Sequence, residues 1–151
     1  MEDIKVLLVD DEREFVNSLA ERIQMRHLSS NIAYDGEQAL ELVQNQVPDV
    51  VVLDLRMPGI DGLEVLERLK KSYPSVQVIV LTGHGSKEDE KIAKKLGAYD
   101  YLQKPVSIDN LIGSIRNAYH SIEDMISAAT YAEAGDMKSA RELMDKKKKK
   151  S

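Results

Sequence analysis

The stretch VVLDLRMPGIDG occupies residues 51–62. With Val50 it begins as a continuous β-branched and aliphatic run, Val50 to Leu53, with no polar alternation. Runs of that kind suit strands of a parallel sheet covered on both faces. The run ends on a carboxylate, Asp54, and then meets Met57-Pro58-Gly59. A charge at the end of a buried strand is costly unless something pairs with it or uses it. Fold and function therefore both turn on what surrounds Asp54.

Outward from Asp54, apolar runs alternate with helix-period segments. Ile4 to Val9 is a buried strand, and Phe15, Leu19 and Ile23 recur every four residues as one helix face. Ser30 to Tyr34 is a weaker strand. Asp35-Gly36 turns into a helix carrying Ala39, Leu40, Leu42 and Val43. Leu63, Val65, Leu66 and Leu69 mark the helix after Asp54. Val76 to Leu81 is a fourth strand, and Ile92, Ala93 and Leu96 lie on a helix stopped by Gly97. Tyr99 to Gln103 is a fifth strand, followed by a helix with Leu111, Ile112 and Ile115.

Five β-α units in about 120 residues predict an α/β fold, an open parallel sheet wound on both faces. A closed eight-stranded barrel needs roughly twice the length. The flavodoxin-like order 2-1-3-4-5 puts the switch point, and any ligand, at the carboxyl ends of strands 1 and 3.

The totals narrow the class. The chain has 151 residues, 42% apolar and 31% charged, with one Phe and no Trp, so an aliphatic core is expected. No Cys means no disulfide and no thiolate chemistry. Met1 leads directly into a charged segment and no apolar run approaches the roughly 20 residues of a membrane span. The expectation is a cytoplasmic protein without a signal peptide. Removing the +5 of Lys146 to Lys150 from the net charge of -5 leaves -10 on residues 1–145. An acidic body argues against direct DNA binding.

The polar residues gather at the strand ends. Asp10 and Asp11 follow strand 1, and Asp54 ends strand 3. Three carboxylates in one crevice repel one another unless a cation joins them. Oxygen-only ligands with room for water suit Mg²⁺, with Mn²⁺ as the substitute ion. Thr82 ends strand 4, and Lys104 with Pro105 ends strand 5. A hydroxyl and an ammonium around a metal-bound carboxylate make a receptor for a phosphoryl group. Asp54 can accept it as an acyl phosphate.

With Asp10-Asp11, VLDLRMPGIDG, LTGHG at 81–85 and LGAYDYLQKP at 96–105 in order, the chain resembles the receiver domain of bacterial response regulators. The resemblance covers residues 3 to about 120. It implies that Asp54 takes phosphate from a sensor histidine kinase or phosphotransfer protein. Asp10, Asp11, Asp54 and the Arg56 backbone carbonyl would hold Mg²⁺. Lys104 would pair with the phosphate, and Thr82 would bond it after moving inward. Tyr101 matches the aromatic switch position, and the bond before Pro105 is expected to be cis. Phosphorylation would then shift a two-state surface of helix 4, strand 5 and helix 5.

Arg56 and His84 stand two residues after Asp54 and Thr82, at positions that border the phosphoryl group and tune its lifetime in this family. His27 and His120 show no metal spacing and read as surface or helix-end residues. A hydrolase working through aspartyl phosphate would need a carboxylate where Arg56 stands, so the expectation is no enzyme beyond the chain's own phosphorylation and dephosphorylation. A phosphorelay intermediate or phosphate sink is the alternative.

Residues 1–120 form the expected receiver. Residues 121–145 read as a helical hairpin: Ile122 to Ala134, a stop at Gly135, then Met137 to Lys146 at its end. AATYAEAGDMKSARELM (128–144) resembles one tetratricopeptide unit. Residues 146–151 are a lysine-rich tail. About 30 residues after helix 5 are too few for a winged helix or an ATPase, which implies a stand-alone receiver. Its target would be a protein partner, with a phosphorylation-dependent dimer as one mode.

Overall fold

The structure, a computed structural model, describes residues 3–133. The element order is β1 (Lys5–Val9), α1 (Arg13–Gln24), β2 (Ser29–Ala33), α2 (Gly36–Asn45), β3 (Val50–Leu53), α3 (Gly62–Ser72), β4 (Gln77–Thr82), α4 (Lys87–Lys95), β5 (Asp100–Gln103) and α5 (Ile108–Glu133). All strand pairs are parallel and the sheet order is β2-β1-β3-β4-β5. The expected α/β fold and its strand order are both present.

The unalternating apolar runs serve two cores at once. Val6, Leu8, Val50, Val52, Ile79 and Leu81 face α1 and α5, meeting Val16, Leu19, Ile23, Leu111 and Ile115. Their neighbours Leu7, Val9, Val51, Leu53, Val78 and Val80 face the opposite layer, meeting Ala39, Val43, Val65, Leu66, Leu69 and Ala93 of α2, α3 and α4. A strand side chain flips face at each residue, so a strand buried on both faces must be apolar throughout.

Local chemistry sets the helix ends. The Asp35 side chain accepts from Gln38 N and the Asp61 side chain from Leu63 N. Ser86 and Asp89 form a reciprocal capping box at the start of α4. Helix α4 ends as the sequence predicts: Gly97 has φ +105°, its N–H donates to Lys94 O, and Ala98 N donates to Ala93 O. Helix α1 ends on the same pair of bonds, with His27 at φ +66° in the left-handed position. His27 is thus a helix-end residue, as expected.

Helix α5 departs from the expected boundary. It runs unbroken from Ile108 to Glu133, so the division at 120/121 falls inside one helix. No Gly or Pro occurs between Gly113 and Gly135, and nothing in that interval interrupts the helical period. The turn at Gly135, the second arm, residues 134–144 of the tetratricopeptide-like unit and the lysine tail lie outside the described residues. Among the described residues no helix is long and apolar enough to cross a membrane.

Candidate functional site

Register decides which side chains meet. Val9 pairs with Leu53, so Asp10 and Asp54 are each one residue past a matched pair, and Asp54 N donates to Val9 O at 2.9 Å. Thr82 pairs with Gln103, and Lys104 N donates to Thr82 O at 2.9 Å. Four strand ends therefore open onto one crevice at the switch point, with β3 between β1 and β4.

Three of these residues share a local device. Asp10 Oδ1 accepts from Glu12 N at 2.9 Å, Asp54 Oδ1 from Arg56 N at 3.3 Å, and Thr82 Oγ1 from His84 N at 3.3 Å. Each side chain bonds the backbone two residues on, turning the chain out of the strand and fixing its own orientation. The second oxygen of each carboxylate stays available to the crevice. Asp10, Asp54 and Thr82 are buried to 4%, 3% and 0% exposure, values far below those of ordinary surface polar groups.

Lys104 is the counter-charge. Its Nζ lies 2.7 Å from Asp10 Oδ2, 3.5 Å from Glu12 Oε1 and 3.9 Å from Asp54 Oδ2. Burial alone would lower its pKa, but the hydrogen bond to Asp10 and the charges of Asp10, Asp54 and Glu12 outweigh it, so the pKa is raised above 10.5. Asp10 is also raised, above 3.8: burial dominates, and the bonds from Lys104 and Glu12 N offset it only in part. The Lys104–Pro105 peptide is cis, as expected.

The close acidic group includes Glu12, which the expected set did not. Carboxylate oxygens of Asp10, Glu12 and Asp54 come within 4.8 Å of one another, while Asp11 is exposed and is not in that group. Asp10 Oδ1 accepts from Glu12 N, which ties residue 12 back to residue 10 across residue 11. Glu12 was legible only as the third acid of Asp10-Asp11-Glu12, and it reads from sequence as a helix start.

Arg56 and His84 are both exposed, and their backbone N–H groups donate to Asp54 Oδ1 and Thr82 Oγ1. Tyr101 packs its ring against the layer of α3 and α4. Its hydroxyl is buried and has no hydrogen-bond partner among the described residues. Burial raises its pKa, Asp89 and Glu90 add to the shift, and Arg56 opposes it. A Cβ on Gly85 would collide with the Tyr101 hydroxyl and lie 2.8 Å from Thr82 Cγ2. Gly85 is the gap that admits the ring end, a role the LTGHG stretch did not disclose.

The chain is similar to known proteins over most of its length. A family model described as "Response regulator receiver domain" matches residues 6–116. The transcriptional regulatory protein CpxR of Escherichia coli K12 is 40% identical over 112 residues, 74% of this chain and 47% of that protein. A putative NtrX-like response regulator of Rickettsia typhi is 38% identical over 120 residues, 78% of this chain and 25% of that protein. The chain thus spans a quarter to about half the length of these curated relatives. A Francisella response regulator receiver domain of known structure is 34% identical, with a TM-score of 0.73, covering 79% of this chain and 98% of that one.

Proposed function

On the premise that this chain belongs to the response regulator receiver domain family, we propose that Asp54 is its phosphoacceptor in two-component signalling. The observation that carries the reading is the position of Lys104, whose ammonium reaches Asp10, Glu12 and Asp54 from one point. A carboxylate oxygen of Asp54 attacks phosphorus in a phosphohistidine of a sensor kinase or phosphotransfer protein. The P–N bond breaks, the imidazole nitrogen leaves and takes up a proton, and an acyl phosphate forms on Asp54. Lys104 meets the incoming negative charge, which is where such transfers gain most of their rate. The Thr82 hydroxyl, now bonded to His84 N, turns to a phosphoryl oxygen.

The donor set fits a hard divalent cation. The close group is all oxygen, and three carboxylates against one ammonium leave two negative charges uncompensated. Asp10, Asp54 and the Arg56 carbonyl would hold Mg²⁺, joined by Asp11 and by Glu12. The ion would supply further charge neutralisation to the phosphoryl oxygens.

Incubation with acetyl phosphate and Mg²⁺, read by intact mass, tests the reading. One added phosphoryl group is expected in the unaltered chain, and none in Asp54→Asn or in excess chelator. Continuous turnover of small phosphate esters would instead indicate a hydrolase, for which Arg56 offers no acid/base carboxylate.

Output follows from Tyr101. A buried hydroxyl without a partner costs roughly 1–3 kcal/mol, so its seat beside Gly85 and Thr82 is balanced against an outward one. A shift of Thr82 toward a phosphoryl group changes that balance and, with it, the face of α4, β5 and α5. Ile92 on α4 and Tyr99, the residue before β5, are 38% and 40% exposed, an apolar footing for a protein partner.

Arg56 and His84 shield the acyl phosphate from water arriving in line. Arg56→Asn and His84→Ala are each expected to hydrolyse their phosphoryl group faster than the unaltered chain. Decay of the phosphorylated mass after donor removal measures this, and unchanged lifetimes in both variants would refute it.

A further inference from the structure

The Lys104 ammonium also lies 4.2 Å from the centroid of the Phe15 ring. We propose that Phe15 is a positioning residue for Lys104, a neutral seat that keeps the ammonium in the crevice when its carboxylate partners are claimed by another cation. The inference rests on the reading of the crevice as a phosphoryl site.

The difficulty it resolves is one of shared ligands. Lys104 makes its short contact, 2.7 Å, to Asp10 Oδ2. Asp10 is also in the group suited to a divalent ion. A divalent ion there would compete with Lys104 for one buried oxygen and would prevail on charge. Its remaining carboxylate contacts hold the ammonium weakly. Glu12 is 3.5 Å away with a 54% exposed side chain, and pairs that exposed contribute little. Asp54, at 3.9 Å, is needed for the metal and the phosphoryl group.

The face of an aromatic ring attracts a cation and offers no oxygen to a metal. Phe15 is well placed for this. It stands in the first turn of α1, three residues after Glu12 at the N-cap. The ring is half-buried and packs against the sheet core beside α1 and α5, which fixes its plane. The Lys104 side chain is only 12% exposed, and desolvation strengthens the contact. An aliphatic residue of similar volume would fill the same space without holding the charge. A chain with one Phe in 151 residues has placed it under this ammonium.

The test uses the full chain with Phe15→Leu, and Phe15→Tyr as the variant that restores a ring face. In the metal-free protein, carbon-proton NMR of the Lys104 methylenes is expected to show upfield ring-current shifts. These persist when Mg²⁺ is added, persist in Phe15→Tyr, and are lost in Phe15→Leu. The initial rate of phosphorylation by acetyl phosphate is expected to fall about three- to tenfold in Phe15→Leu and to return in Phe15→Tyr. Amide spectra establish that Phe15→Leu is folded; Phe15→Met replaces it otherwise. Loss of the upfield shifts on adding Mg²⁺, or an unaltered rate in Phe15→Leu, would overturn the proposal. Failure of the unaltered chain to take any phosphoryl group would overturn the reading of the site, while the NMR result would still decide whether Phe15 holds Lys104.

Discussion

Lys104→Met is expected to lower the stability of the metal-free chain by about 3 kcal/mol at neutral pH, the lower end for breaking a buried pair. It is also expected to slow phosphorylation of Asp54 on the order of tenfold to 100-fold. Methionine keeps most of the apolar stem of lysine and removes the ammonium with its charge and its hydrogen bond to Asp10. Asp10, Glu12 and Asp54 then face one another within 4.8 Å, with Asp10 and Asp54 almost wholly buried. The pH dependence carries a definite sign. The pKa of Lys104 is raised in the fold, so its contribution is fully present below about 10.5 and is lost as pH rises through the folded value. Asp10 is raised too, so its charge opposes folding at neutral pH, and that opposition is relieved as pH falls through its folded pKa. The stability gap between variant and unaltered chain should narrow toward acid, toward strong alkali, and on adding Mg²⁺ at neutral pH. Denaturant titrations in chelator across pH measure it. Equal stability of the two chains at neutral pH would contradict this account of the crevice.

Gly62→Ala is expected to cost about 2–3 kcal/mol, the usual range for forcing atoms into a packed site. A Cβ there would stand 2.5 Å from Leu55 Cα and 2.8 Å from the carbonyl oxygens of Asp54 and Leu55. All three are backbone atoms, so no rotamer change relieves the overlap, and the segment leaving β3 must move. That segment carries Asp54, so the initial phosphorylation rate should fall with stability. Gly113→Ala is the control. It lies inside α5, a Cβ there meets nothing within 4 Å, and the change should stabilise by about 0.5–1 kcal/mol. Thermal or denaturant midpoints of the two variants should move in opposite directions, and movement of both in the same direction would refute the argument from close approach.

Much of this was legible in the residues. A run such as Val50 to Leu53 suits a strand covered on both faces, and the paired faces of the two cores bear that out. Once strand order is settled, Asp10, Asp54, Thr82 and Lys104 meet by register alone, because each stands at the end of its strand. What resisted reading depends on orientation. Asp11 and Glu12 are alike in composition and both exposed, yet only Glu12 brings a carboxylate oxygen into the close group. The inward seat of Tyr101 depends on the empty side of Gly85, a contact between loop and strand with no periodic signature. The unbroken course of α5 past residue 120 reflects the missing breaker, a signal that an expected domain boundary obscured.

Acyl phosphates are reduced by borohydride to the alcohol, which marks the residue that carried the phosphoryl group. After phosphorylation with acetyl phosphate and Mg²⁺, reduction and peptide mass spectrometry should find homoserine at position 54. Homoserine at position 10 or 11, or reduction at no carboxylate, would contradict the assignment of Asp54 as the acceptor.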